Sequence, residues 1–514
     1  MLGFHRRTRS LIPVKDLAKY DKILQVEESE IEEEELEENV PLETSGKGRG
    51  RQLALVYVMF LAEAIMASSL QPQLQQLIAK DEYCGSLSTS YLRSILDCAY
   101  AFGGTAGILW GYIADRIGRR KVALAGLWTM LGCCASMGFA TTISSCAIFR
   151  FVSGVASSAV MVMTLTMIGD LSTNTKERAR HVSRLPLVAL CGSIGPIVQG
   201  FLSGYFDPSA LGSQIACGSL VFLVAVTASF MLKETLPHRS IRCSAEVDPD
   251  CEKTGFLSLE PAGHSSVIRN AVRPEPIAIS QFLQAPSFLV LLASFSLLSL
   301  HASTFDMLLP HLGHSSTHHG GMGIPCDWLG ITVLTVRGVA ATAILYTLAR
   351  GIDSFGLLKL YRCISALFPA LYIITPLLAT LAASSACFVA ITSILSILVK
   401  HTLAGGASVL VALLVLNTTP DAFSAGTVVG MMQAANLFKA LAVAVTGASF
   451  YLSSDFSLTT TNYALWTSLA LFGVVGAALA WFVRERPSVE RDFPSEVLCW
   501  ETCFDAVDGS PDVP

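Results

Sequence analysis

Residues 111–121 read Gly111-Tyr112-Ile113-Ala114-Asp115-Arg116-Ile117-Gly118-Arg119-Arg120-Lys121. The stretch joins two apolar runs, and its chemistry decides what lies on either side. Arg116, Arg119, Arg120 and Lys121 make it strongly basic, as a connector at the inner face of a membrane should be. Gly111 and Gly118 permit close helix approach and a tight turn. Asp115 can sit at a helix N-terminus or pair with an Arg, which would make it a latch. A plain topology signal needs the charge but not this spacing of Gly and Asp. The spacing recurs 238 residues on, as Asp353-Ser354-Phe355-Gly356-Leu357-Leu358-Lys359. Each copy follows the second apolar run of its half. Duplicated six-helix halves around a midplane cavity are the architecture of a rocking carrier.

The rest of the chain supports that reading. Of its 514 residues 52% are hydrophobic and only 15% charged, against about a quarter charged in soluble domains. Apolar runs long enough to cross a hydrocarbon core of about 30 Å alternate with short polar connectors. The expected fold class is an all-α membrane protein, with twelve transmembrane helices in two pseudo-symmetric six-helix bundles. The first six spans fall at about 52–74, 92–113, 121–140, 146–168, 184–205 and 212–233. The others fall at about 286–309, 328–349, 360–382, 387–416, 427–451 and 463–484. No barrel-type alternation is present, and a helix satisfies its own backbone in lipid. The run 387–416 is too long for a simple span and holds Lys400, His401, Gly405 and Gly406, so a kink or a tilt is expected there.

Residues 1–51 read as a disordered, cytosolic N-terminus, dominated by the acidic tract 27–38. Residues 52–233 and 286–484 form the two bundles, 234–285 a cytosolic linker and 485–514 a cytosolic tail. Basic residues set the orientation. Arg116 to Lys121, then Lys176, Arg178, Arg180 and Arg184, then Arg350, Lys359 and Arg362 all fall in connectors on one side, which makes that side cytosolic.

Residues 111–121 closely resemble the signature of the major facilitator superfamily between its second and third helices. Arg150-Phe151-Val152-Ser153-Gly154 resembles a second signature, found in proton-coupled members. Gly192-Ser193-Ile194-Gly195-Pro196-Ile197-Val198-Gln199-Gly200 resembles the Gly-Pro signature of the drug:proton antiporter branch. Its key positions are Gly192, Gly195, Pro196 and Gly200, and Gln199 stands where the branch usually has a small residue. Leu232 to Pro237, Asn436 to Ala440 and Gly447, with Glu63 and Pro72, look like the zinc-induced facilitator-like and fungal multidrug group, related to bacterial tetracycline exporters. The resemblance spans about 52–484. It implies a secondary active carrier that exports a small organic molecule, a drug or secondary metabolite, by alternating access against protons. It also implies a monomer in the lipid bilayer, in the plasma membrane ahead of the vacuolar membrane. No cofactor, resident metal or nucleic-acid partner is expected. No Gly-Lys-Ser/Thr phosphate loop is present, which argues against an ATP-driven pump or other enzyme.

Ionisable groups at membrane depth are costly and usually functional. Glu63, Asp97, Arg150, Asp306, Arg337, Lys400 and Lys439 all fall within spans. Glu63, Asp97 and Arg150 are the proton-coupling candidates: a carboxylate could take a proton from one side and release it to the other, with Arg150 tuning it. The plainer alternative is static pairs that only fix helix packing. His311, His314, His318 and His319 could hold Zn²⁺ weakly, but a solvated polar loop is the expected reading. Other functions consistent with the sequence are a facilitator or symporter of a small solute or metal chelate, and a non-transporting sensor built on a carrier fold.

Overall fold

The computed structural model describes residues 46–80, 89–137, 139–140, 142–193, 210–236, 279–314, 326–382, 386–419, 423–452 and 463–483. Residues 1–51 form one unit and residues 52–514 another. Of the first, only Gly46–Arg51 is described, as the start of a helix. Everything below concerns the second unit. The acidic tract, linker residues 237–278, the tail from 484, residues 315–319 of the histidine-bearing stretch and Gly195, Pro196 and Gly200 lie outside the described residues.

The first half contributes α1 (Gly46–Lys80), α2 (Thr89–Gly103), α3 (Gly107–Ile117), α4 (Arg119–Met137), α5 (Ile143–Leu171), α6 (Thr175–Val182), α7 (Leu185–Cys191) and α8 (Ala210–Met231). The second contributes α9 (Ile279–Phe282), α10 (Pro286–His314), α11 (Cys326–Phe355), α12 (Leu357–Ala382), α13 (Ala386–Asn417), α14 (Ala425–Met432), α15 (Asn436–Leu452) and α16 (Tyr463–Phe482). The described residues are helices and connectors without strands. Seven of the segments are long and apolar enough to cross a membrane, among them Ile143–Leu171 and Phe388–Asn417. Phe222, Leu223 and Phe230 on α8, and Leu367, Ile373 and Leu377 on α12, point outward and exposed. Such apolar belts would be aggregation sites in water and suit a hydrocarbon solvent.

Packing repeats between the halves. In the first, α4 packs on α5 and on α8, while α2 and α3 pack on α5. In the second, α12 packs on α13 and on α16, and α11 packs on α13. The two glycines of the repeated motif complete the match. Gly118, between α3 and α4, has φ +107°, and Gly356, between α11 and α12, has φ +82°. They are the only positive-φ glycines among the described residues. A side chain disfavours that backbone region, so the spacing read in the sequence is a spacing of turns.

The long span, expected to kink or tilt, is one continuous helix, Ala386–Asn417. Its 32 residues run to about 48 Å at 1.5 Å each. Gly405 breaks nothing: a Cβ there would lie 2.7 Å from the Ile344 side chain, so the glycine lets α11 come close. Conversely, the second and eleventh spans, expected to be plain helices, are interrupted. A 3₁₀ turn at Gly104–Ala106 separates α2 from α3, and another at Gln433–Ala435 separates α14 from α15.

Candidate functional site

The interrupted helices are where the halves meet. α2 packs on α15, α3 on α14, and the two 3₁₀ turns touch each other. The chains run antiparallel at glycine distance. A Cβ on Gly111 would lie 2.1 Å from the Gly426 carbonyl oxygen, and one on Gly430 would lie 2.5 Å from the Gly107 carbonyl oxygen. Only hydrogen fits at either place.

This close approach brings Asp115 to the start of α14. The side chain is buried and accepts hydrogen bonds from Gly426 N (2.9 Å), Thr427 N (2.6 Å) and Thr427 Oγ1 (2.8 Å). A carboxylate there meets both the free N–H groups and the positive end of the helix dipole. Arg119, one turn on and fully buried, lies 3.8 Å from Asp115 and pairs with Asp170 at the end of α5. Asp170 also accepts from Thr235 Oγ1 at 2.9 Å. Glu234 in turn caps α4, accepting from Arg119 N (2.8 Å) and Arg120 N (3.1 Å). Arg120 donates to the Ser229 carbonyl, and Arg116 is exposed, over the ring of Tyr112. The motif's charges are thus divided between a buried lattice and a basic rim.

The second copy is built differently. Asp353 is half-exposed and pairs with the exposed Lys176 of α6 at 3.4 Å. Such a pair contributes at most about 1 kcal/mol. Lys359 is exposed. The more buried contact across the halves here is Arg178 Nη1 donating to Asn417 Oδ1 at 3.0 Å. Gly192 of the Gly-Pro motif faces α1: its Cβ would lie 2.4 Å from Ala64 Cβ, and its carbonyl accepts from Ser68 Oγ at 2.7 Å.

The proton-coupling candidates form one network across α1, α2 and α5. Glu63 is buried, and its Oε1 accepts from Ser157 Oγ at 2.5 Å. The Tyr100 hydroxyl lies 3.3 Å from the same oxygen and 2.8 Å from Ser157 Oγ. The Arg150 guanidinium stacks 4.5 Å over the Tyr100 ring and bonds Asp97 Oδ1 at 3.2 Å. Asp97 lies 3.7 Å from Arg93 as well. Arg150 is therefore committed to Asp97, while Glu63 has neutral donors. Among the described residues no cation lies within ion-pair distance of Glu63. Lys439 on α15 is exposed, and its charge reaches Glu63 from the other half. Arg150 Nε and Nη1 are buried without a hydrogen-bond partner.

The remaining intramembrane charges meet in the second half. Lys400, fully buried on α13, donates to Asp306 Oδ1 of α10 at 2.5 Å. His401 Nε2 lies 4.0 Å from the same oxygen. Arg337 on α11 is exposed, and its charge acts on both Asp306 and Lys400. One turn and a half back on α10, His301 Nδ1 pairs with the Tyr372 hydroxyl at 2.8 Å. A desolvated pair is a poor source of stability, because stripping water from both ions cancels much of their attraction.

Several partners were absent from the sequence reading: Tyr100, Ser157, Asp170, Thr427, His301 and Tyr372. Helical spacing could have found some of them. Tyr100 follows Asp97 by three residues, and Ser157 follows Arg150 by seven, so each shares a helix face with a candidate already named.

Comparison with known proteins agrees with this architecture. The family model of the Major Facilitator Superfamily matches residues 53–445. The Major facilitator superfamily multidrug transporter mfsB of Aspergillus fumigatus is 23% identical, covering 85% of this chain and 83% of that one. Protein ZINC INDUCED FACILITATOR 1 of Arabidopsis thaliana is 23% identical over 56% of this chain and 61% of its own length. Among solved structures, the proton:xylose symporter XylE bound to 6-bromo-6-deoxy-D-glucose superposes with a TM-score of 0.59 at 14% identity, covering 88% of this chain and 99% of that one. With the duplicated turn, the glycine-tight seam and the apolar belts in place, the chain belongs to the major facilitator superfamily: it is a multi-pass integral membrane protein and a secondary transporter.

Proposed function

We propose that this chain exports a small organic molecule in exchange for protons, with Glu63 as the group that carries the proton. The observation behind this reading is that Glu63 is held by two hydroxyls and no ion pair. A carboxylate fixed to an arginine stays charged, whereas one held by neutral donors can exist in both states as water reaches it or leaves. Asp97, paired with Arg150, is the positioning partner: it holds the guanidinium against Tyr100, which in turn orients Ser157 and Glu63. Asp115 on the start of α14 is the latch of the basic end, which the positive-inside rule makes cytosolic. The names of the relatives, multidrug transporters of fungi and bacteria, favour a drug or secondary metabolite as cargo. The monomer and the plasma membrane belong to the same proposal.

The test uses full-length protein in liposomes with an imposed pH gradient and an internal pH-sensitive dye. The panel is aromatic amphiphiles of either charge, Zn²⁺ and xylose. Proton movement opposite to one of these compounds, lost in Glu63→Gln, supports the proposal. Uptake or release of a compound with no proton movement, or an unchanged Glu63→Gln variant, overturns it.

A further inference from the structure

The second-half cluster holds more positive charge than negative. Asp306 is its one carboxylate among the described residues, against Lys400 and Arg337. His401 adds a buried ring whose Nε2 has no hydrogen-bond partner. Asp306 balances the buried Lys400, so the surplus falls on the exposed Arg337 beside them, and a surplus cation within a span favours the arrival of an anion. Asp306 is about one-third exposed, at 31%, while Lys400 is sealed beneath it at 1%. The pair therefore opens from the carboxylate side.

Aromatic rings stand next to these charges. Phe305 lies between the two groups: Lys400 Nζ is 5.2 Å from its ring centre, and the rings of Tyr372 and Trp466 are each 6.1 Å away. Trp466 is 97% buried by residue, with 3% exposure, yet its indole Nε1–H donates to nothing. A buried donor without a partner costs about 1–3 kcal/mol. Next to a cationic surplus and a wall of rings, such a donor suits a flat ligand that brings an acceptor. Stacking of rings and capture of a carboxylate by paired cations are complementary demands, met by one class of molecule.

We infer that this cluster is a binding site for an aromatic organic anion, whose carboxylate displaces Asp306 from Lys400 and is shared with Arg337. The inference rests on the reading of the chain as a carrier of small organic molecules and narrows the cargo to one charge class. Asp306 then acts as a resident stand-in for the ligand: it keeps Lys400 paired when the site is empty and gives it up when the anion arrives.

The experiment measures binding to the purified full-length chain in detergent by isothermal titration calorimetry. Three probes share the naphthalene ring and differ in their head group and its charge: 2-naphthoate, 2-naphthylmethanol and 2-naphthylmethylammonium. The naphthoate should bind tightest. Lys400→Gln should weaken it about tenfold or more and leave the alcohol unchanged, since a buried charge contact is lost. Lys400→Arg should restore much of the loss. Asp306→Asn removes the competitor and should tighten naphthoate binding, which a merely structural ion pair would not do. Arg337→Gln, at an exposed position, gives the same sign as Lys400→Gln should the latter fold poorly. Tightest binding of the ammonium or the alcohol, or naphthoate affinity that ignores both Lys400→Gln and Arg337→Gln, overturns the inference. No proton gradient is involved, so the failure of proton exchange in liposomes leaves this result standing.

Discussion

Replacing Asp115 by Asn keeps the volume of the side chain and changes only what it can accept. In the parent each carboxylate oxygen takes one backbone N–H of α14, at 2.9 and 2.6 Å. The amide has one acceptor oxygen, so one N–H of the pair loses its partner and faces an NH₂ group. Loss of a charge-assisted bond removes about 1.5–3 kcal/mol, and loss of the anion at a helix N-terminus roughly another 0.3–1 kcal/mol. The contact across the halves weakens by about 2–4 kcal/mol, or roughly 30- to 700-fold in the equilibrium that closes the basic end. Spin labels at Arg180→Cys and Ser354→Cys, both exposed positions on opposite halves, read that distance in a background freed of other reactive cysteines. The expected result is a closed population in the parent and a longer-distance population that dominates in Asp115→Asn. Identical distance distributions in the two proteins would refute the argument that this carboxylate holds the halves together.

Other outcomes follow from the same geometry. Gly111→Ala places a methyl against the Gly426 carbonyl, an overpacking that costs about 1–3 kcal/mol; thermal unfolding of the full chain should start lower, and the label distance should lengthen as in Asp115→Asn. Glu234→Gln weakens the cap on Arg119 N and Arg120 N and should speed amide exchange in the first turn of α4, with no change in the last turn of α5. Tyr100→Phe removes the hydroxyl shared by Glu63 and Ser157 but keeps the ring under Arg150; the pH at which proton exchange is half-maximal should move, while cargo affinity stays. His181 on α6 is half-buried, and burial holds its imidazole below the usual value, about 6.5. Protonation therefore favours the unfolded connector: the stabilisation is complete above the usual value and lost as pH falls through the lowered one. Protection factors over residues 175–182, in which the slower intrinsic exchange of acid is divided out, should fall on acidification, and His181→Gln should flatten that dependence.

The motif at residues 111–121 could be read from sequence because its parts are local. Charge, glycine spacing and the second copy lie within short windows, and the turns at Gly118 and Gly356 obey them. What Asp115 touches could not be read, since Thr427 lies 312 residues away and Ser424 at the head of α14 signals a helix start without saying which side chain meets it. The choice of Glu63, Asp97 and Arg150 rested on depth, with a motif resemblance added for Arg150 and Glu63. Depth does not say that Asp97 takes the arginine and leaves Glu63 to hydroxyls. The repeat puts an Asp at the matching place of each half, but Asp115 is sealed by glycines and Asp353 lies in the open beside Lys176. Symmetry of spacing carried the backbone turn across the halves and did not carry the environment of the side chain.

The two 3₁₀ turns at Gly104–Ala106 and Gln433–Ala435 face each other midway along the seam. Each is wound more tightly than the helix around it and has weaker internal bonds, so each helix is softest where it meets the other. A pair of levers with a shared soft point behaves as a seesaw: pressing one end together lifts the other. Asp115 clamps one arm and Cys98, whose thiol lies 3.5 Å from the Ala440 carbonyl, marks the other. A carrier built this way can open one end of the seam and close the other without sliding one half along its neighbour, and the work of switching falls on six backbone residues near its midpoint.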